Sequence, residues 1–344
     1  MKILVDVMGG DNPPLELVRG VVDAAKLFDV ELVILGHKDL IETEAKKAGV
    51  RLGAQNISIY DTGDTVITME DAALAVVREK RDSSMGIGLR MLAAGEADAL
   101  VSCGNTGALH AGSTLVVRRI KGLQRSAIAS VLPLAKPTLL IDSGANTQVT
   151  PQILEQFAIM GQIYMRKMFS LERPEVGLLN NGAEEHKGNE VAKAAHVLLR
   201  DNPEINFVGN VEGKEVPFGK CDIIVTDGFT GNILLKTIEG FGKFLLGKLK
   251  KAFHKNLLTK ASGLAMRSKL GALKKEFDAD EYGGAPLLGI SKAVIKAHGS
   301  SDAKAITNAI RQAIVYVNTG VIGEIAQYTM EAQAKQTASA GDEA

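Results

Sequence analysis

The sequence predicts an α/β fold: a doubly wound, mostly parallel sheet in a three-layer arrangement. Three observations point there. Short, wholly apolar runs such as Ile3-Leu4-Val5, Leu139-Leu140-Ile141 and Ile223-Ile224-Val225 read as strands buried on both faces. Between them lie stretches with apolar residues at helical spacing, for example Leu17, Val18, Val21, Val22 and Ala25. Most runs then end in a small polar turn rich in Gly, Asn, Ser or Thr, which is how strand–helix units are punctuated.

Taken in order, Ile3–Val7 is the first strand. Met8-Gly9-Gly10-Asp11 turns into a helix entered at Pro13-Pro14, with Asp11 or Asn12 as its cap. Strands over Val30–Leu35 and Ile57–Tyr60, separated by a helix over Lys38–Ala48, complete a βαβαβ start with right-handed crossovers. A polar connection over Thr62–Asp71 leads to helices at Ala72–Lys80 and Gly86–Ala94, a strand ending at Ser102 and a helix over Thr106–Val117. Ile128–Leu132 and Thr138–Ile141 are strands, and Pro151–Phe169 is a strongly patterned helix capped by Thr150. A strand over Glu175–Asn180, a helix over Val191–Leu199 and a strand over Asn206–Gly209 follow. After Ile223–Val225 a long helix opens at Ile233. Beyond the glycine-rich Tyr282–Gly289 the pattern predicts a short strand, a helix over Lys292–Lys296, and a last helix from Ala303 to about Ala332 capped by Asp302 or Ser301. Residues 1–332 read as a single catalytic domain and 333–344 as a disordered tail.

Composition sets the bounds. A chain of 344 residues, 46% hydrophobic, supports a sizeable core, and its formal net charge of zero gives no global case for nucleic acid. Cys103 and Cys221 stand far apart without metal-ligand spacing, which suits a reducing cytosol. Cys103 and His110 both read as packing residues before they read as nucleophile or base. Met1–Asp11 is a strand and turn, not a signal peptide, and no run of about 18 apolar residues is present to span a membrane. No G-x-G-x-x-G follows the first strand, and no G-x-x-x-x-G-K-[ST] occurs, so neither a dinucleotide nor a Walker-type site is expected. No metal or other cofactor is expected.

Five junctions share one grammar: Leu100–Gly107, Leu139–Asn146, Leu178–Gly182, Phe207–Asn210 and Ile223–Asn232. Ligands in open α/β sheets bind beyond the carboxyl ends of the strands. The five are therefore expected at one sheet edge, lining one crevice with uncharged hydrogen-bonding groups. Where Thr226–Asn232 opens a helix, backbone N–H groups and the helix dipole suit an anion. The loop Asn181–Glu190 is long and carries Glu184, Glu185, His186 and Lys187. It is either functional or a solvated charged loop.

From Gly240 to Lys275 there is no Asp or Glu but ten Lys and Arg, with Phe241, Phe244, Leu245, Leu249, Phe253, Leu257, Leu258 and Leu264 at roughly helical spacing. A protruding basic amphipathic segment over 240–278 reads as a surface for an anionic partner. The alternative is an apolar stripe packed in a dimer or the core, with its lysines in water.

Asp6-Val7-Met8-Gly9-Gly10-Asp11, Ser102–Gly107, Asp142–Asn146, Lys187-Gly188-Asn189, Thr226–Asn232 and Tyr282–Ala285 together resemble the bacterial phosphate acyltransferase family of phospholipid synthesis, in order over roughly residues 2–330. The resemblance implies conversion of acyl-[acyl carrier protein] and inorganic phosphate into acyl phosphate, for use by a membrane glycerol-3-phosphate acyltransferase. It implies a fold similar to phosphotransacetylase and isopropylmalate dehydrogenase, a homodimer, and a cytoplasmic enzyme peripherally associated with an anionic membrane surface. The residue types agree. Phosphate brings its own nucleophilic oxygen, so the reaction needs an anion site, orientation against a thioester and donors for the oxyanion. Thr230, Gly231 and Asn232, with Gly104, Asn105, Thr106 and Asn210, are the candidates to cradle phosphate or oxyanion. Lys187 is the candidate cation, Asn232 the leading side-chain donor and His186 a candidate proton donor to the leaving thiolate. Asp227 either orients one of these groups or caps the following helix; Asp6 and Asp11 read as structural. Lys250, Lys251, Leu257, Leu258 and Leu264 are the candidate contacts with membrane or carrier protein.

Three rivals remain. A phosphotransacetylase using acyl-CoA would share the glycine loops, but the basic segment favours a protein-borne, long-chain donor. A metal- and NAD-dependent decarboxylating dehydrogenase would want an Asp cluster, and Asp222 and Asp227 have no third carboxylate to join them. A non-enzymatic scaffold recruiting carrier protein to membranes would explain the basic segment but not the polar loops.

Overall fold

The computed structural model describes residues 1–342 apart from 12, 54–55, 254–265, 267–268, 270 and 272–281. Its strands are β1 (Lys2–Asp6), β2 (Glu31–Gly36), β3 (Ile57–Asp61), β4 (Ala99–Ser102), β5 (Ala127–Pro133), β6 (Pro137–Ile141), β7 (Val176–Asn180), β8 (Phe207–Glu212), β9 (Ile223–Val225), β10 (Ala285–Leu288) and β11 (Ala293–Lys296). Its α-helices are α1 (Leu15–Leu27), α2 (Lys38–Lys47), α3 (Ser84–Ala94), α4 (Thr106–Gly112), α5 (Pro151–Phe169), α6 (Glu190–Asp201), α7 (Gly228–Phe253), α8 (Ala303–Asn318) and α9 (Val321–Asp342).

All the strands join one sheet in the order β3-β2-β1-β4-β11-β10-β5-β6-β9-β7-β8. The pairings among β3, β2, β1, β4 and β11 are parallel, as are those among β6, β9, β7 and β8. The three central pairings, β11–β10, β10–β5 and β5–β6, are antiparallel. Alternation along each strand covers both faces. Ile3 and Val5 pack with Leu17 of α1 and Ile306 and Ile310 of α8, while Leu4 packs with Leu89 of α3 and Leu109 of α4. Leu139 and Ile141 face Phe157 of α5, and Leu140 faces the opposite layer with Ile224. The result is the predicted three layers, helices on both sides of a sheet with wholly apolar strands.

The antiparallel centre changes one expectation. Three reversals in a row turn the carboxyl ends of β6, β7, β8 and β9 away from those of β1, β4 and β11, so the polar loops form two groups instead of a single rim. Two helices tie the groups together. From α4, His110 Nε2 meets Ser126 Oγ at 3.1 Å beside the start of β5. From α7, Lys236 Nζ meets His298 Nε2, just past β11, at 2.9 Å.

Several local predictions need correction. The segment read as a helix over Lys292–Lys296 is strand β11, inserted between β4 and β10. Its Ala-Val-Ile-Lys is shorter than one useful helix and two of its four residues are β-branched. α1 begins at Leu15 with Pro14 at its cap and no capping side chain; Asp11 N instead donates to Gly299 O at 2.7 Å, and Asn12 lies outside the described residues. The helix expected over Ala72–Lys80 is one 3-10 turn, Ala73–Val77, and α4 ends in a π turn at Ser113–Val117. The last helix is two, broken at Gly320 where φ is +70°, and the second runs to Asp342 through residues expected to form a disordered tail. α7 starts at Gly228, so Gly228–Asn232 are its first turns and not a loop before it. Thr150 and Asp302 do cap α5 and α8, accepting from Ile153 N and Ala305 N.

Candidate active site

The first group of loops is built on Asp6 at the end of β1. Its buried carboxylate accepts from Met8 N, Ser84 Oγ and Ser102 Oγ at 3.1, 2.7 and 2.7 Å. Burial raises its pKa, with the Ser84 and Ser102 hydrogen bonds opposing in part. Asp6 thereby clamps β1, β4 and α3, as its structural reading requires. A Cβ on Gly9 would stand 2.6 Å from Gly104 Cα, so two glycine turns lie backbone to backbone here. Asn105 caps α4, accepting from Ala108 N, while its Nδ2 lies within 3.0–3.2 Å of the carbonyls of Thr68, Met69 and Asp71. Its side chain is thus occupied in pinning a distant loop. The N–H groups of Thr106 and Gly107 are left without a partner among the described residues.

The second group is built on Asp142, fully buried at the end of β6. Its two oxygens accept from the backbone N–H groups of Ile128, Gly144, Ala145 and Asn146 and from Asn146 Nδ2, all within 2.7–3.2 Å. The loop so folded docks on the first turn of α7. Gly228 N donates to Asn146 O at 2.7 Å, and a Cβ on Gly231 would stand 2.0 Å from Asp142 O. Asp227 caps α7, accepting from Thr230 N at 2.9 Å and Thr230 Oγ1 at 2.7 Å. With Gly231 N bonded to Asp227 O, three of the first four N–H groups of α7 are already used, and only that of Phe229 is unpartnered among the described residues. The helix start is therefore a poorer anion site than its sequence promised. Asn232 is exposed, its side chain against Gly144, with no hydrogen bond among the described residues.

Across a groove stands the loop 181–189. Asn180 Nδ2 holds Lys187 O at 3.1 Å. Asn210 is not in a loop: it lies within β8, buried, donating to Glu184 O at 2.8 Å and meeting His196 Nδ1 at 3.0 Å. Its amide shapes the loop from below instead of facing a ligand. His186 is exposed, and Lys187 is half-buried against Gly182 and forms no ion pair among the described residues. The groove holds about 820 Å³. Asn180, Asn189, Asp227 and Thr230 line its polar part; Leu178, Leu179, Val191, Ala192, Ile233 and Leu234 line the rest. His186, Lys187, Gly231 and Asn232 flank the groove without lining it, and Gly104, Asn105 and Thr106 belong to the first group.

Lys296 was not foreseen. It ends β11, half-buried, and its Nζ meets the carbonyls of Cys103, at 3.4 Å, and Ala297. Burial pulls its pKa down to about 8. Reading β11 as a helix hid it, since only a strand places this ammonium under the β4 turn. Nearby, Lys236 pairs with Glu239 at 2.8 Å and with His298. Burial alone would raise the Glu239 carboxyl, but hydrogen bonds from His298 and Lys236 outweigh it and hold its pKa at about 2. Burial pushes the Cys103 thiol up to about 12, which disqualifies it as a nucleophile near neutral pH, and lowers the pKa of His110. Among the described residues no group of His, Cys, Asp or Glu is placed to hold a metal ion.

Two glycine-built turns on a doubly wound sheet, with amide, ammonium and N–H donors free among the described residues, define a candidate site for an anionic group. Solved structures agree on the architecture. A phosphotransacetylase from Streptococcus pyogenes superposes with a TM-score of 0.59 at 18% identity, covering 92% of this chain and 94% of that one. A branched-chain phosphotransacylase from Enterococcus faecalis gives 0.54 at 17%, covering 92% and 99%, and a 4-hydroxythreonine-4-phosphate dehydrogenase from Klebsiella pneumoniae 0.52 at 14%, covering 92% and 99%. Sequence narrows the class. Residues 1–324 match the family described as fatty acid synthesis protein. The chain is 47% identical over 326 residues to a phosphate acyltransferase of Thermoanaerobacterium thermosaccharolyticum, covering 94% of this chain and 96% of that protein. It is 45% identical over 330 residues to one of Clostridioides difficile, covering 95% and 96%. The chain belongs to this phosphate acyltransferase family of lipid synthesis, and is an acyltransferase. That membership sets aside the dehydrogenase and the non-enzymatic scaffold.

Proposed function

We propose that the enzyme transfers a fatty acyl group from acyl carrier protein to inorganic phosphate. A phosphate oxygen attacks the thioester carbonyl carbon, the carbonyl oxygen carries the charge of the tetrahedral intermediate, the C–S bond breaks, and the proton lost by phosphate ends on the carrier thiol. Lys187 meets the phosphate charge, Asn232 donates to phosphate or oxyanion, and His186 protonates the leaving thiolate. Thr230 and Gly231 at the start of α7, and Gly104, Asn105 and Thr106 at the start of α4, frame the cradle; the N–H groups of Thr230, Gly231 and Gly104 are held by Asp227 and Ser102, so the donors it offers are those of Phe229, Thr106 and Gly107. Asn105 contributes there through its backbone, and Asp227 and Asn210 act by positioning Thr230 and the 181–189 loop. The observation that carries this reading is the family match, which spans both loop groups. Among the described residues Asn232 has no hydrogen bond and Lys187 no ion pair, though the pKa of Glu184 is lowered by its own backbone N–H and then by the Lys187 charge.

The basic run of α7 supports a donor borne by an acidic protein over free acyl-CoA. Phe241 and Phe244 are exposed there, and Lys248 Nζ lies 5.3 Å from the Phe244 ring. Lys250 and Lys251 end the helix; Leu257, Leu258 and Leu264 lie outside the described residues. In this reading the enzyme is a cytoplasmic homodimer that touches anionic membrane through this segment and passes acyl phosphate to a membrane glycerol-3-phosphate acyltransferase. Among the described residues no helix is long and apolar enough to cross a membrane.

Incubation with phosphate and either palmitoyl-[acyl carrier protein] or palmitoyl-CoA, with hydroxylamine as trap, tests the reaction. Hydroxamate from the carrier-borne donor is expected. Hydroxamate from acyl-CoA alone would reassign the donor, and none from either would refute the activity.

A further inference from the structure

We infer that the groove between β7, α6 and α7 is the binding site for the alkyl chain of a long-chain acyl thioester. The inference rests on the acyl-transfer reading and adds where the chain lies. Three features support it. First, the groove reaches the start of α7, where Asp227 and Thr230 line it; Thr230, Ile233 and Thr237 follow at spacings of three and four residues, so one helix face runs from there into the apolar part. Second, that part is lined by aliphatic side chains from three separate elements, Leu178 and Leu179, Val191 and Ala192, and Ile233 and Leu234. The whole groove, polar part included, holds about 820 Å³, and its aliphatic part suits an alkyl chain. At roughly 30 Å³ per methylene, comparable with a water molecule, a sixteen-carbon chain needs about 480 Å³, less than the groove holds. Third, Ile233 is 52% exposed, on a helix whose only buried residues are Gly228 and Gly231. An exposed isoleucine beside two asparagines and a threonine at the mouth of a groove has apolar surface for a ligand to cover.

The groove commits the enzyme to a direction. The thioester sits at the Asp227–Thr230 end, and the terminal methyl points along α7 toward Thr237. A bulkier residue at the wall then truncates the space for long chains more than for short ones.

The test has two arms. Irradiating the unaltered protein with a hexadecanoyl thioester carrying a diazirine near its terminal methyl should label residues 178–192 and 233–237. Label confined to other segments, or none above a short-chain competitor control, overturns the inference whether or not the protein turns over. Ile233→Trp, at an exposed position where folding is safe, and Val191→Trp should each lower the ratio of kcat/KM for hexadecanoyl over butanoyl donors about tenfold. An unchanged ratio in both overturns it too. Failure of the unaltered protein to form any acyl hydroxamate would count against the acyl-transfer reading alone, because photolabelling reports the groove independently.

Discussion

Replacing Gly231 by alanine is predicted to dislodge the start of α7. The new methyl would stand 2.0 Å from Asp142 O, 3.0 Å from Thr226 Cγ2 and 3.1 Å from Asp142 C. A carbon–oxygen contact needs about 3.3 Å, and the crowding atoms belong mostly to backbone, so helix and loop must part by more than about 1 Å. The 2.7 Å bond from Gly228 N to Asn146 O then stretches beyond hydrogen-bonding range. Overpacking costs about 1–3 kcal/mol, and the lost buried hydrogen bond about 1–3 kcal/mol more. Better helix propensity returns about 1 kcal/mol. The net is a loss of about 1–5 kcal/mol. Gly240→Ala, on the same helix with nothing among the described residues within 4 Å, should instead stabilise by about 0.5–1 kcal/mol. Urea unfolding followed by circular dichroism compares the two. The displaced cradle should also cost Gly231→Ala on the order of 100-fold in hydroxamate formation. Equal stability and equal turnover in the two variants would refute the close approach.

Three further outcomes are expected. Lys187→Ala and Asn232→Ala should each lower turnover on the order of 100- to 1,000-fold with unfolding midpoints unchanged; full activity in either would remove that residue from the mechanism. Lys296 has a folded pKa near 8 against an ordinary 10.5, so between those values the unfolded chain holds a proton that the native state lacks. Stability should therefore rise from pH 8 toward 9 and that contribution vanish as pH falls through 8, and Lys296→Met should flatten the rise. Leu257→Glu with Leu258→Glu should abolish sedimentation with anionic liposomes, and unchanged sedimentation would remove the basic segment from membrane contact.

Much of the fold was legible because local signals agreed with global burial. Thr150 followed by Pro151 and a run of core positions marked both the start and the length of α5. Wholly apolar strands gave the three layers. Strand order and direction were not legible: β10 and β11 insert between β4 and β5 from the far end of the chain, and nothing in Ala-Val-Ile-Lys announces it. That single misreading also concealed Lys296. At the site, residue type was a fair guide to location but a poor one to availability. Asn105 and Asn210 have the donors an anion wants, yet their amides are occupied by carbonyls 26–37 residues away in sequence. Asp142, quoted only as part of a turn, proved to be the hub of the second group.

α7 links these observations physically. It is held to the body by two buried glycines and, two turns on, by the Lys236–Glu239–His298 contact. Glu239 is its last carboxylate; from Gly240 to Lys275 no Asp or Glu follows, while ten Lys and Arg do. The charge therefore changes just past the Lys236–Glu239–His298 contact. Near its start the helix also packs Leu234, Leu235 and Ile238 against the cluster around Leu140 and Ile224, whereas further along Phe241, Phe244 and Leu245 are exposed. Neither feature is required by the fold of the sheet, and both would be costly in a helix meant only to pack on it. The same helix supplies Thr230 and Asn232 at one end, so whatever engages the exposed face acts on an element continuous with the cradle.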